Sequence, residues 1–182
     1  SEMYNSKPKK AGIMKNIEDL ELGHIRAFSN AEINDRDSDW DTPLQYAITC
    51  ALDQHHKKMP DRIEAINIIL GKGADVEVRS PGTEYTPLLN SVGLPGVTRM
   101  LVDKGANVSY VAEDDSNVLS LAVSYGSEEN VIFLLSGDHK QKEKLGRFLS
   151  RDPYPPSVVD ASKPRDKDKT VMQIAMERMN VN

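Results

Sequence analysis

The chain has 182 residues, of which 38% are hydrophobic and 28% are charged, and its formal net charge is −5. Enough apolar residues are present to form a core, which excludes a disordered chain, and the acidic balance argues against nucleic acid as a partner, because phosphate binding requires clustered Lys and Arg. A single cysteine and the lack of a stretch of about 20 apolar residues predict a cytoplasmic protein without a membrane span.

The first predicted element is an opening helix over residues 16–29, which follows a flexible segment, residues 1–15. Apolar residues recur in this helix at spacings that place them on one side. The predicted inward-facing residues are Ile17, Leu20, Ile25 and Phe28.

Four later segments begin in the same way, with Thr or Asn directly before an apolar helix. They are Thr42-Pro43-Leu44-Gln45-Tyr46-Ala47, Thr86-Pro87-Leu88, Asn117-Val118-Leu119-Ser120-Leu121-Ala122 and Thr170-Val171-Met172-Gln173-Ile174-Ala175. Thr and Asn side chains accept hydrogen bonds from free N–H groups at a helix N-terminus, and proline fits the first helical position. Each segment therefore predicts a helix start.

A second signal, a helix end followed by glycine, recurs after 32 residues. It occurs in Ile69-Leu70-Gly71-Lys72-Gly73-Ala74-Asp75-Val76 and Met100-Leu101-Val102-Asp103-Lys104-Gly105-Ala106-Asn107-Val108, with a fainter copy in Leu134-Leu135-Ser136-Gly137. Gly73 and Gly105 fit the left-handed residue that ends many helices. A period near 32 predicts repeated pairs of helices.

Over residues 17–135 the pattern resembles the ankyrin-repeat family, in which a β-turn finger leads through Thr-Pro-Leu-His-x-Ala into a pair of helices. Residues 34–44 resemble the family's finger and helix start, with Trp40 in the place of the usual glycine. The usual His is replaced by Gln45, Leu89 and Ser120. The resemblance implies an all-α fold, an ankyrin-repeat solenoid of helix-turn-helix units with short β-turn fingers. It implies about three full repeats plus terminal capping helices.

We predict a single domain over residues 16–182. After the opening helix it contains repeats at about 30–72, 73–104 and 105–137, an insertion at 138–169 and a closing helix at 170–180. The first two helix starts lie 44 residues apart, which predicts a prolonged first helix and a longer loop within residues 50–61.

The insertion and the closing helix have their own predicted features. Asp138 is expected to cap a short helix that carries Leu145, Phe148 and Leu149 on one face, and residues 157–169 are expected to form an exposed loop. The predicted buried stripe of the closing helix is Met172, Ala175, Met176 and Met179.

An acidic run resembles the start of a calcium loop, with acids at 35, 37, 39 and 41. A calcium loop needs a glycine and a final acid at positions that Trp40 and Tyr46 occupy here. We therefore interpret these acids as ordinary turn residues. His55 and His56 are favoured as solvated loop residues over zinc ligands, and Cys50 as a small buried group over a nucleophile.

Two other segments also favour simple interpretations. Gly71-Lys72-Gly73 is expected to end a helix rather than bind phosphate, and residues 163–169 to form a solvated linker. We predict no catalytic residue, no cofactor and no metal site. Trp40 lies between Asp39 and Asp41 at a predicted fingertip, and it is expected either to anchor a partner or to fold back on the opening helix or the next finger.

By its resemblance, the chain is expected to be a protein–protein interaction module that binds through its concave face and fingertips, as an inhibitor, an immunity protein or a scaffold. Acidic fingertips predict a partner with a basic surface. The predicted contact residues are Asp37, Asp39, Trp40, Asp41, Tyr46, Glu84, Tyr85, Asn90, Asp114, Asp115, Leu121 and Tyr125.

Three alternatives remain open at this point. The chain is a secreted bacterial effector, or the insertion at 138–169 has a metal-dependent or catalytic role, or that insertion mediates self-association. The prediction is a monomer that is not an enzyme.

Overall fold

The computed structural model describes residues 12–53, 57–94, 96–125 and 127–149. In these ranges the secondary structure is helical and contains no strand, which confirms the predicted all-α class for that part of the chain. The chain divides into two compact units, unit 1 (Ser1–Asp75) and unit 2 (Val76–Asn182), each with its own internal packing.

Unit 1 begins with two short helices, α1 (Ile13–Glu18) and α2 (Leu22–Ala27), where the sequence predicts one helix over residues 16–29. The helix breaks because Leu20 has a left-handed backbone, with φ of 55°, that an α-helix does not accommodate. Ile17 and Ile25 are buried as predicted, whereas Leu20 and Phe28 are half-buried.

The rest of unit 1 is a short 3-10 helix (Asn30–Glu32) and a helix pair, α3 (Pro43–Asp53) and α4 (Met59–Gly71). The 11 residues of α3 confirm the prolonged first helix. Thr42 and Gln45 cap its start reciprocally, since the Gln45 side chain accepts from Thr42 N at 2.9 Å and the Thr42 hydroxyl accepts from Gln45 N at 3.4 Å. Gln45 therefore takes a local capping role at the place of the usual histidine.

Two basic side chains hold the opening helices against α4. The Arg62 guanidinium is buried and donates to the Ile17 and Glu18 carbonyls at 2.8 and 3.0 Å. Lys72 Nζ donates to the Arg26 and Phe28 carbonyls at 2.6 and 2.8 Å. Positive charge at the C-terminal end of a short helix complements its dipole, so these contacts stabilise α1 and α2.

Unit 2 contains two helix pairs within residues 76–136, apart from the undescribed residues 95 and 126. They are α5 (Pro87–Asn90) with α6 (Val97–Asp103), and α7 (Val118–Tyr125) with α8 (Glu128–Ser136). The fully buried core residues Leu88, Val97, Leu101, Leu119 and Leu134 come from all four helices. Burying each such side chain stabilises the fold by roughly 1.5–3 kcal/mol.

The first helix of this unit, α5, has only four residues. Buried polar side chains form hydrogen bonds with the segment that follows it. Ser91 and Thr98 are both buried, and their hydroxyl oxygens lie 3.0 Å apart. The buried Asn130 side chain on α8 donates to the Val92 carbonyl. The Asn130 bond, and a bond of 3.2 Å from the Thr98 hydroxyl to the Ser91 carbonyl, satisfy backbone carbonyls between α5 and α6 that would be costly to leave unpaired.

Unit 2 continues with a 3-10 helix (Lys142–Leu145) and α9 (Gly146–Leu149). Leu145 and Phe148 are each 1% exposed, as expected for the buried face of the predicted short helix. The predicted cap is wrong, because Gln141 and not Asp138 precedes the 3-10 helix, and its side chain does not cap it. The rest of the insertion, the closing helix with its methionine stripe, and residues 1–11 lie outside the described residues.

Equivalent turns follow α4 and α6, where Gly73 and Gly105 have φ of 92° and 89°. A polar side chain braces each turn. Asn34 Oδ1 accepts from Asp75 N, and Glu77 Oε1 accepts from Asn107 N, both at 2.7 Å. The same kind of contact therefore recurs once in each unit. Within the described ranges, no helix has the length and apolar character needed to cross a bilayer.

Candidate functional site

Three similar loops precede α3, α5 and α7. We call them finger 1 (residues 37–41), finger 2 (residues 80–85, one residue longer) and finger 3 (residues 112–116). Each is closed by a backbone hydrogen bond of 2.9 Å from its first residue to its last. The bonds join Asp37 N to Asp41 O, Ser80 N to Tyr85 O and Ala112 N to Ser116 O. Eight of the predicted contact residues lie in these loops, namely Asp37, Asp39, Trp40, Asp41, Glu84, Tyr85, Asp114 and Asp115.

The penultimate residue of every finger has a left-handed backbone, although none is glycine. Trp40, Glu84 and Asp115 have φ of 63°, 58° and 67°. Their N–H groups donate to the carbonyl of the first finger residue at 2.9–3.0 Å. Trp40 thus occupies a position that requires an unusual backbone conformation, which explains why glycine is usual there in the family that the sequence resembles.

Finger 1 is ordered by its own acidic residue. Asp37 Oδ1 accepts from the backbone N–H of both Asp39 and Asp41 at 3.0 Å, and Arg36 donates to the Trp40 carbonyl. This use of Asp37 agrees with turn acids rather than a calcium loop. Trp40 is 66% exposed, so its indole is available at the protein surface.

Fingers 2 and 3 are joined through Tyr85. Its hydroxyl donates to Asp114 Oδ2 at 2.6 Å and lies 2.9 Å from the Ser116 hydroxyl. Burial and the Asp114 carboxylate raise the pKa of Tyr85. Burial alone would raise the pKa of Asp114, but hydrogen bonds from Tyr85 and Ser116 outweigh it, and the pKa of Asp114 is lowered. Tyr110 adds a second contact by donating to the Glu84 carbonyl.

The predicted contact residues on helices differ in what they offer. Asn90 donates to the Ser80 hydroxyl at 3.1 Å and so supports finger 2, while Tyr125 is 60% exposed. Tyr46 is half-buried, and burial with the neighbouring Cys50 raises its pKa far above the usual range. Leu121 is wrong as a contact residue, because it is 5% exposed in a helix whose residues Val118 to Val123 are all buried.

Candidate reactive groups stay separate in the described residues. Burial raises the pKa of the Cys50 thiol, which favours the protonated and less nucleophilic form. No three His, Cys, Asp or Glu side chains of the described ranges come together as metal ligands. His55 and His56 lie outside those ranges.

Two surface grooves lie among the described residues of unit 2. One has a volume of about 470 Å³ and the other about 500 Å³. The first is lined by Arg99, Glu128, Glu129, Ile132, Phe133, Ser136 and Gly137. The second is lined by Val102, Asp103, Lys104, Gly105, Asp138, His139, Lys140 and Gln141. Each groove is lined by both acidic and basic side chains, whereas the charged side chains of the fingers are mainly acidic.

Sequence reasoning missed the residues that hold the loops in place. Asn34 and Glu77 each lie three residues before a finger, and each braces the turn that follows a helix pair. The sequence signal that could identify such residues is a polar side chain three positions before a finger. Tyr85 was expected to contact a partner, and its link to finger 3 was not foreseen.

The sequence matches no protein-family model and no curated protein. The residues themselves are therefore the basis for any functional conclusion.

Proposed function

We propose that this chain is a protein-binding module built from divergent ankyrin repeats, and that it holds its partner at the finger ends. The observation that supports this most strongly is the recurrence of a similar closed loop before three helices. Each finger has the same closing bond and the same left-handed penultimate residue. Loops held in this way present side chains from a fixed backbone.

Fixed loops favour binding because little conformational freedom is lost when a partner docks. Finger 1 is held by the Asp37 carboxylate, and fingers 2 and 3 by the Tyr85 hydroxyl. The side chains exposed there are a tryptophan and several acids, so the proposed partner presents a basic surface. The acids are Asp39 in finger 1 and Glu113, Asp114 and Asp115 in finger 3.

The proposed contact residues are fewer than those that the sequence predicts. Tyr85 and Asn90 serve mainly to position fingers, and Leu121 belongs to the core. The exposed residues Trp40 and Tyr125 are the aromatic candidates for direct contact. We propose that binding masks a functional surface of the partner, as an inhibitor, an immunity protein or a scaffold does. The proposed activity is binding without catalysis.

Partner capture with matched variants tests this proposal. The immobilised protein is exposed to its native cell extract, and the retained protein is compared among variants. One variant carries Asp39→Ser, Trp40→Ala and Asp41→Ser, and a second carries Glu84→Ser and Asp115→Ser. We expect at least one of these two variants to lose the protein that the wild type retains, with an almost unchanged thermal midpoint.

The matched control removes two carboxylates and one exposed apolar side chain away from the fingers. It carries Asp53→Ser, Asp103→Ser and Ile132→Ala, all at exposed positions. It should retain the partner. Equal retention by every variant, or equal loss in the control, contradicts partner contact at the finger ends.

A further inference from the structure

The Trp40 indole is a large apolar surface left in water. It is 66% exposed at a position where the left-handed backbone disfavours a bulky residue such as tryptophan. A tryptophan here adds little to the folding of finger 1, because most of its ring contacts solvent. The exposed ring is therefore best explained by a ligand that covers it.

The surroundings of the ring select the chemistry of that ligand. Asp39 and Asp41 flank Trp40 in the chain, and the Asp37 carboxylate lies in the same turn. The guanidinium of Arg36 binds the backbone carbonyl of Trp40. An indole face attracts cations more strongly than other aromatic rings do, and neighbouring carboxylates add to that attraction.

The chain itself uses this chemistry in unit 2. Where the structure describes this unit, guanidinium carbons lie over three aromatic rings at 4.2–4.9 Å from the ring centres. The pairs are Arg79 with Tyr110, Arg99 with Phe133 and Arg147 with Phe148. In each pair the guanidinium and the aromatic ring both belong to this chain.

We propose that finger 1 is a receptor for an arginine side chain of the partner, whose guanidinium stacks on the Trp40 indole beside Asp39. This inference rests on the proposed function, and it specifies the partner's chemistry at one finger. The indole supplies the stacking surface, and the carboxylates supply charge complementarity. Affinity at this finger depends on salt, since the charges are exposed.

The test uses defined peptides and so does not require the partner. Trp40 is the only tryptophan of the chain, which makes its fluorescence a reporter of finger 1 alone. Acetyl-tetraarginine amide should change that fluorescence in a saturable way at low salt. The matched peptide with four citrullines, which has similar shape and no charge, should not.

Calorimetry with the Trp40→Leu variant separates stacking from general attraction, because this substitution leaves every charge in place. Tetraarginine should bind this variant about two- to fivefold more weakly than it binds the wild type. Asp39→Asn should also weaken binding. Equal binding to wild type and Trp40→Leu, equal responses to arginine and citrulline, or no response to either peptide overturns the inference.

Failure of this inference is distinguishable from failure of the proposed function. If a captured partner is lost on Trp40→Ala while tetraarginine does not distinguish Trp40→Leu from wild type, finger 1 binds something other than arginine. If finger variants retain the captured partner, the proposed function itself is wrong.

Discussion

The hydroxyl of Tyr85 donates to a carboxylate oxygen of Asp114 at 2.6 Å, and this contact joins fingers 2 and 3. The two residues are 29 positions apart in the sequence. Asp114 also accepts from Ser116 N at 2.9 Å, so its two oxygens hold separate donors. One carboxylate therefore orders its own finger and ties it to the preceding one.

Tyr85→Phe should lower the free energy of unfolding by about 1 kcal/mol, because a hydrogen bond to a carboxylate is lost without a change in ring packing. Chemical denaturation of both proteins measures the difference. Tyr125→Phe is the matched control, since that ring is 60% exposed, and it should leave stability nearly unchanged. Equal effects of the two substitutions contradict a structural role for the Tyr85 hydroxyl.

The hydrogen bond between Tyr85 and Asp114 also predicts that the stability of the protein depends on pH. The pKa of Asp114 is lowered in the folded protein, so its contribution is present above the ordinary aspartate pKa. That contribution disappears as pH falls through the folded value. The stability difference between wild type and Tyr85→Phe should therefore shrink on acidification. A carboxyl-carbon NMR titration should also show a higher Asp114 midpoint in Tyr85→Phe, and an unchanged midpoint argues against the coupling.

Trp40→Gly should not reduce stability and should raise it by up to about 1 kcal/mol. Glycine removes the cost of a left-handed backbone, which is partly offset by the greater freedom of glycine in the unfolded chain. Trp40→Ala is the comparison, because alanine loses the ring and keeps the backbone cost. Glycine should be the more stable of the two in thermal denaturation. A substantial loss in both variants means that the indole packs in the folded protein.

Gly137→Ala should cost about 1–3 kcal/mol of unfolding free energy. An added Cβ would lie 2.2 Å from the Phe133 carbonyl oxygen and 2.6 Å from its Cδ2 atom, so the backbone must move. Gly71→Ala is the control, since nothing lies within 4 Å of a Cβ there, and a helical alanine is slightly favoured over glycine. Similar midpoints for the two variants contradict the close approach at Gly137.

The sequence predicts those parts of the fold that depend on neighbouring residues. Thr42 and Asn117 precede helices because their side chains cap the first turn locally. Gly73 and Gly105 end helices because their positive φ suits glycine. Each of these signals lies within a few residues of the structure that it specifies, so a pattern reveals it.

Other features depend on contacts between distant segments, and no local pattern reveals them. The break between α1 and α2 occurs at Leu20, a residue type that does not favour a left-handed backbone. Leu121 lies in a helix in which every residue from Val118 to Val123 is buried, the polar Ser120 included, so the polarity pattern of the sequence does not identify an exposed face. The bond between Tyr85 and Asp114 appears only once two loops are brought together.

The Gln141 side chain forms two hydrogen bonds with the turn that follows α6. Its Nε2 donates to Ala106 O at 2.7 Å, and its Oε1 accepts from Val108 N at 3.3 Å. Arg147 adds a bond to the Ser109 carbonyl at 3.1 Å. Residues 137–149 are therefore attached by hydrogen bonds to the segment that precedes finger 3. A protein shortened after Ser136 would lose the hydrogen bonds of Gln141 and Arg147 to this turn, together with the buried side chains of Leu145 and Phe148.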